Sequence, residues 1–368
     1  MRLSVRSGSV VGVLAIVGIA AATMGAARVG PHIIYTQHNL VSDGFVPADF
    51  TDPNMVNAWG LVPNPTAFWW VANAETGTST LYDGDGNIQS LVVSIPSTGG
   101  PGTQGEPTGI VFNPTTDFVI TDGTNSGAAA FLFAGEDGVI SGWSPAVPPP
   151  PPSKQAFIAV DSSPSGAIYK GLALAVTRHG NRLYATDFHN GKVDAFDGQF
   201  NPIFTGGFVD PTLPAGYAPF GIAFLNEKVY VTYAKQDAAG EDDVPGPGFG
   251  YINVFSATGK FVRRLVSQAE LNAPWGLALA PADFTGFGNQ LMVGNFGDGR
   301  INVYDPIDGR HRGLLKVADG TPIEIDGLWG LSFGNGGSAG PKNQLFFTAG
   351  PDDEAHGLFG RFDVTIGS

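Results

Sequence analysis

The chemistry open to this sequence lies in its oxygens and its six histidines, because its 368 residues include no cysteine. Thiol nucleophiles, thiolate metal sites and disulfides are therefore excluded. Four carboxylates, Asp237, Glu241, Asp242 and Asp243, stand within seven residues in the loop 237–248, ahead of Pro245-Gly246-Pro247-Gly248. An all-oxygen set suits a hard cation such as Ca2+. The spacing is not that of a D-x-D-x-D-G loop, so a solvated acidic turn is the competing reading. A second segment, Gly350–Gly357, carries Asp352, Asp353 and Glu354, then His356. His189 and His356 stand on loops, where a surface histidine is the ordinary reading. No His-x-x-x-His or HExxH pattern occurs. Gly330-Leu331-Ser332-Phe333-Gly334 spells the hydrolase nucleophile motif. Equivalent positions elsewhere read Gly60-Leu61-Val62 and Gly276-Leu277-Ala278, so Ser332 belongs inside a strand.

A repeat must position these groups. An aromatic or polar residue, a glycine and an aliphatic residue open six units: Trp59-Gly60-Leu61, Thr108-Gly109-Ile110, Lys170-Gly171-Leu172, Phe220-Gly221-Ile222, Trp275-Gly276-Leu277 and Trp329-Gly330-Leu331. The glycines are 49 to 62 residues apart. Each opening is followed by a short β-branched and aromatic run: 69–73, 118–122, 183–187, 229–233, 291–295 and 345–349. A third run ends in an aromatic, as at Tyr82, Phe133, Phe196, Phe255, Tyr304 and Phe362, and turn residues lead to a fourth. Six units of four strands specify an all-β, six-bladed β-propeller over residues 30–368. The sixth unit stops after its third strand, and the alternating segment His32–Val41 is expected to pair with it and close the ring. A seventh irregular blade or two domains would fit the length, but not the even spacing.

In a propeller, the turn after each second strand and the connection before each first strand share one face around the channel. That face is expected to gather Asn73, Asp122, Asp187, Tyr233 and Asn295 from the first set, and Asn57, Glu106, Asn272 and Asp326 from the second. Together they would form a ring of ligands for a cation or a polar small molecule. Asn and Asp also cap their own turns, which is the competing role. The aromatics before the glycines either pack between blades or form a rim at the channel mouth.

The units resemble the NHL-type repeat, above all from Ala273-Pro274-Trp275-Gly276-Leu277-Ala278 through Gly299-Arg300-Ile301-Asn302-Val303-Tyr304-Asp305. Tyr35–Asp43 with Asn57-Ala58-Trp59-Gly60-Leu61 also looks like a family of exported bacterial propellers of unassigned activity. Propeller enzymes of similar fold, the calcium-dependent lactonases and the streptogramin lyases, imply the alternative of a metal-dependent hydrolase or lyase; resemblance to the lyases implies a histidine general base, for which His189 and His356 are the histidines placed to serve. The lactonase pattern has Asn before the repeat glycine; this chain has Trp59, Thr108, Lys170, Phe220, Trp275 and Trp329 there.

Acidic residues outnumber basic ones 33 to 19, a net charge of −14 that opposes nucleic acid and anionic membranes as partners. Residues 1–27 read as a cleaved signal peptide: Arg2 and Arg6, an apolar stretch from Val10 to Ala22, then Gly25-Ala26-Ala27. The apolar stretch is shorter than the ~20 residues a membrane helix needs. The mature protein is expected to be a secreted or periplasmic monomer without stable membrane insertion. Residues 145–153 hold Pro148–Pro152, expected to be an extended polyproline-like spacer. The expected function is a non-catalytic binding scaffold for a small molecule, carbohydrate or protein at the polar channel mouth, with Ca2+ as the candidate ion.

Overall fold

The computed structural model describes residues 32–100, 103–203 and 206–367. The signal-peptide reading of residues 1–27 lies outside them. Six antiparallel sheets form a ring about one axis. Their innermost strands are Ala58–Pro63, Pro107–Phe112, Tyr169–Ala175, Tyr217–Leu225, Pro274–Leu279 and Leu328–Phe333, opening blades 1 to 6. Each packs against the next, and the sixth returns to the first.

The six glycines recur because the inner strands nearly touch. A Cβ on Gly60 would lie 2.4 Å from the Thr108 carbonyl oxygen, on Gly221 2.1 Å from that of Trp275, and on Gly276 2.5 Å from that of Trp329. No side chain fits there. Three second-strand threonines fasten this contact. The Gly171, Gly221 and Gly330 N–H groups donate to Thr186, Thr232 and Thr348 Oγ1 at 2.8, 2.8 and 2.9 Å. Thr186 and Thr348 in turn donate to the Phe220 and Trp59 carbonyls of the next blade at 2.6 and 2.5 Å.

The core lies between blades. Successive strand side chains face opposite ways, so Trp69 packs on Phe346 and Phe359 of blade 6, whereas Trp70 stacks on Phe131 and Trp143 of blade 2. Blade 6 comprises Leu328–Phe333, Leu345–Ala349 and Leu358–Gly367, closed by His32–Ser42 running antiparallel to the last, as the sequence led us to expect. Phe50–Thr51 adds a short parallel edge.

Two blades depart from the expected pattern. In blade 2 the second strand is Phe131–Gly135, paired with Pro107–Phe112. The run 118–122, assigned that place from sequence, instead forms a hairpin, Val119–Thr121 against Ser126–Ala128, inserted between first and second strands. This insertion accounts for the longest glycine spacing, 62 residues. Blade 3 shows three strands among the described residues. The proline segment is also not an extended spacer: Ser153 N–H donates to the Pro145 carbonyl at 2.9 Å and Trp143 Nε1 to the Ser153 carbonyl at 2.9 Å. It is a loop folded onto blade 2.

Candidate functional site

Asn57, Ala273 and Gly327 hold left-handed backbone (φ 50°, 45° and 63°) two residues ahead of Trp59, Trp275 and Trp329. A register break follows in each strand. The turn and bulge re-aim each indole. Trp59 stacks on Trp329 with ring centroids 3.5 Å apart and meets Trp275 edge-on at 5.8 Å, while Phe220 meets Trp329 at 5.8 Å. Blades 1 and 5, and blades 4 and 6, are not neighbours, so these rings meet on the axis. The aromatics before the glycines therefore neither fill blade interfaces nor form an open rim. With Phe188 and Phe296 they plug the channel.

Lys170 occupies the same opening position in blade 3. Its ammonium lies 5.4 Å from the Trp59 ring and 5.8 Å from that of Phe188, with the side chain 3% exposed. A buried ammonium requires anionic partners. Glu136 of blade 2 contacts it directly, and Asp242 of blade 4 lies 3.2 Å away. Burial pulls the Lys170 pKa down, but Glu136 and Asp242 outweigh it and hold it up at about 12. Lys170 is charged.

Two more carboxyls complete the cluster. Glu354 is presented by a left-handed turn, Asp352, Asp353 and Glu354 at φ 58°, 51° and 68°, a costly conformation for side-chain-bearing residues. The Asp326 carboxylate accepts the Asp352 N–H at 2.9 Å and supports that turn. Asn57 links the layers: its Nδ2 donates to Glu354 Oε2 at 2.6 Å, and its Oδ1 accepts Trp329 Nε1 at 3.1 Å. Asp243 is brought in by the hairpin in which Asp237 Oδ1 accepts the Glu241 N–H at 2.9 Å. Its Oδ2 is buried without a hydrogen-bond partner among the described residues. Burial, reinforced by neighbouring carboxylates, pushes Asp243 and Glu354 up to about 7. Glu106 is raised by burial and by Glu136, Asp137 and Glu75.

Five carboxyls, Glu106, Glu136, Asp242, Asp243 and Glu354, thus surround one ammonium above an aromatic floor. Of the residues expected at the mouth, Asn57, Glu106, Asp242 and Asp243 belong to this cluster. Asp326 and Asn272 support it from behind; Asn272 Oδ1 accepts the Gly246 N–H at 2.6 Å. Several expected ring members turn to their own blades. Asn73 donates to Thr80 at 3.0 Å and Asn295 to the Glu270 carbonyl at 2.8 Å. Asp187 accepts from Asn190 Nδ2 at 2.8 Å, and Tyr233 is buried between blades 3 and 4. Asp122 lies on the inserted hairpin and accepts from the Asn125 N–H at 2.6 Å, away from the channel. Asp237, Glu241, Asp352 and Asp353 shape turns. Among the described residues, no group of three His, Asp or Glu side chains meets metal-ligand geometry.

Neither candidate histidine joins the cluster. His356 stacks on Phe45 at 3.9 Å and bonds Asp43 at 2.6 Å, and His189 is exposed. Sequence reasoning missed Lys170 and Glu136 as site residues, and named Glu354 only as one acid of the Gly350–Gly357 loop. The available signal was a lysine where other units place an aromatic or threonine.

No family model matches the chain. The uncharacterized protein R648 of Acanthamoeba polyphaga mimivirus is 36% identical over 332 residues, covering 87% of this chain and 78% of that protein. The chain belongs to the family of that protein. The uncharacterized protein L690 of the same virus is 34% identical over 332 residues, covering 87% and 83%. Among solved structures, the PQQ-bound aldose sugar dehydrogenase of Streptomyces coelicolor overlays with a TM-score of 0.50 at 12% identity, covering 91% of this chain and all of that one. It shares the propeller fold. The virginiamycin B lyase of Staphylococcus aureus overlays at 0.46 and 13% identity, covering 90% and 99%.

Proposed function

We propose that the protein is an exported binding scaffold that takes a cation at the axial acidic cluster. The supporting observation is the convergence of five carboxyls from blades 2, 4 and 6 and the blade 1–2 connection on a single ammonium, with Asp243 Oδ2 unpartnered. Such a group is under electrostatic strain that a further positive charge relieves. The shared chemistry is cationic, whether a divalent ion such as Ca2+ or an organic ammonium group. Trp59 and Phe188 are suited to the latter. The N-terminal signal grammar of residues 1–27 supports an extracytoplasmic scaffold.

Calorimetric titration with calcium chloride, and separately with spermidine, tests this. Saturable binding by either at pH 8 is expected, weakened at least tenfold at pH 5.5, where Asp243 and Glu354 retain their protons. Combined Asp243→Asn and Glu354→Gln should abolish it. Absence of binding by both, or binding unchanged in that variant, would overturn the reading.

A second reading draws on the same carboxyls. Groups titrating near 7 beside a lysine are suited to proton transfer, which keeps the hydrolase or lyase alternative open, with Asp243 and Glu354 in the role first assigned to His189 and His356. Turnover of a lactone or ester lost in Glu354→Gln would establish it.

A further inference from the structure

The repeat does not explain Lys170: the other five units open with an aromatic residue or threonine, and this one sets an amine against an acid in a dry setting. Its Nζ touches Glu136 Oε1, and Asp242 Oδ1 lies 3.2 Å away. The rings of Trp59 and Phe188 stand over it. Lys192 touches Asp194 just as directly but is half exposed. Lys170 is thus the buried one of the lysine–carboxylate pairs among the described residues. Its partner belongs to a different blade. Glu136 sits on the turn between Phe131–Gly135 and Val139–Trp143 of blade 2, and Lys170 on the first strand of blade 3, which has three strands among the described residues. With no cysteine in the chain, no disulfide can tie that short blade to its neighbour.

We propose that Lys170 and Glu136 condense after folding into an intramolecular amide that staples blade 2 to blade 3. The bond formed joins Lys170 Nζ to Glu136 Cδ, and the bond broken joins that carbon to one of its oxygens. Of the three ammonium protons, one stays on the amide nitrogen and two leave with the oxygen as water. No oxidant, reductant or activated donor is needed. Asp242 is placed to take the first proton from Nζ, freeing the lone pair that attacks, and to return it to the departing oxygen. The ammonium is the resting form, so the bond forms slowly, once per chain, as a maturation step. Contact with a carboxyl oxygen holds Nζ within reach of the carbon, and the Glu136 turn is itself fixed, its N–H donating to the Glu106 carbonyl at 3.1 Å. Such held geometry gives an intramolecular reaction its largest advantage over the same reaction in solution. Condensation also replaces two charges that are costly to bury by one neutral group, and the aromatic wall keeps water from the product. The link leaves Glu106, Asp242, Asp243 and Glu354 to face an incoming cation without a resident ammonium.

Mass spectrometry of the whole purified protein, folded first and then denatured, tests the proposal independently of cation binding. The chain should be lighter than its own sequence by the mass of one water, and digestion should yield a branched peptide joining the segments around Glu136 and Lys170. Lys170→Arg, which keeps the positive charge, and Glu136→Ala should each return the full sequence mass; either variant suffices if the other fails to fold. Asp137-Gly138 follows Glu136 directly and can itself lose a water by closing to a cyclic imide, so the mapped position decides between them. A full sequence mass after prolonged incubation of the folded protein, a water loss mapped to Asp137-Gly138, or a loss that persists in folded Lys170→Arg would overturn the proposal.

Discussion

At the scale of single residues, the site is governed by how Lys170 is neutralised. Its ammonium is buried, and so are the contacts it makes with Glu136. Lys170→Met keeps the aliphatic length but leaves Glu136 and Asp242 without their counter-charge. Stability should fall by about 2–4 kcal/mol at pH 8, measured by urea unfolding, with a smaller loss at pH 5, where Asp243 and Glu354, raised to about 7, no longer add negative charge to the cluster. Glu354 behaves in the opposite sense. Its folded pKa is raised to about 7 by burial and by Glu136 and Asp242, whereas the unfolded carboxyl titrates near ~4.3. Between these values the folded state holds more protons, so this group lowers stability as pH rises from about 4 to about 7. Glu354→Gln removes that dependence and still accepts the Asn57 amide. The variant should gain on the order of 1 kcal/mol at pH 8, after allowance for screening at a partly exposed side chain. At pH 4 it should match the parent.

At the scale of elements, the repeat glycines and threonines decide which strands can stand side by side. Gly221→Ala would place its Cβ 2.1 Å from the Trp275 carbonyl oxygen, main-chain atoms on both sides having no room to yield. A loss of about 2–4 kcal/mol is expected. Gly180→Ala, with φ 107° but nothing within 4 Å, should cost only about 1 kcal/mol from backbone conformation. Equal losses would remove the close-approach explanation. This steric requirement is why the blades were legible: a residue that must be glycine in every unit leaves a periodic mark. The strand assignment of blade 2 was not legible, because Phe118–Asp122 and Phe131–Gly135 are both short, apolar and β-prone. Local composition cannot tell which of the two pairs with Pro107–Phe112; only the long glycine spacing marked an insertion.

At the scale of the whole molecule, the axis brings together groups far apart in the chain. Glu136, Lys170, Asp242 and Glu354 come from four blades, and no spacing in the sequence encodes their meeting. Asp242 and Asp243 stood out as a local cluster, and Asn57 and Glu106 by repeat register. Asn73, Asp187 and Asn295 share that register but spend their side-chain hydrogen bonds within their own blades. Closure of the ring was visible as a missing strand, and it invites a global test. His32–Ser42 covers the edge of Leu358–Gly367, buries Tyr35, Leu40 and Val41, and is pinned by His38 to Asp49 at 2.8 Å and to Asp363 at 3.2 Å. Tyr35 also reaches blade 5, donating to the Thr285 carbonyl at 2.6 Å. Because each inner strand leans on both neighbours, loosening blade 6 withdraws support from blades 1 and 5 and from the tryptophan plug between them. Removal of residues 32–49 should therefore lower the midpoint of a single cooperative unfolding transition and speed amide exchange in blades 1 and 5 as well as 6. A synthetic 32–49 peptide added in trans should restore both. If exchange quickens in blade 6 alone while the other blades keep their protection, the blades are held independently and the strand is a local edge cover rather than the closure of the ring.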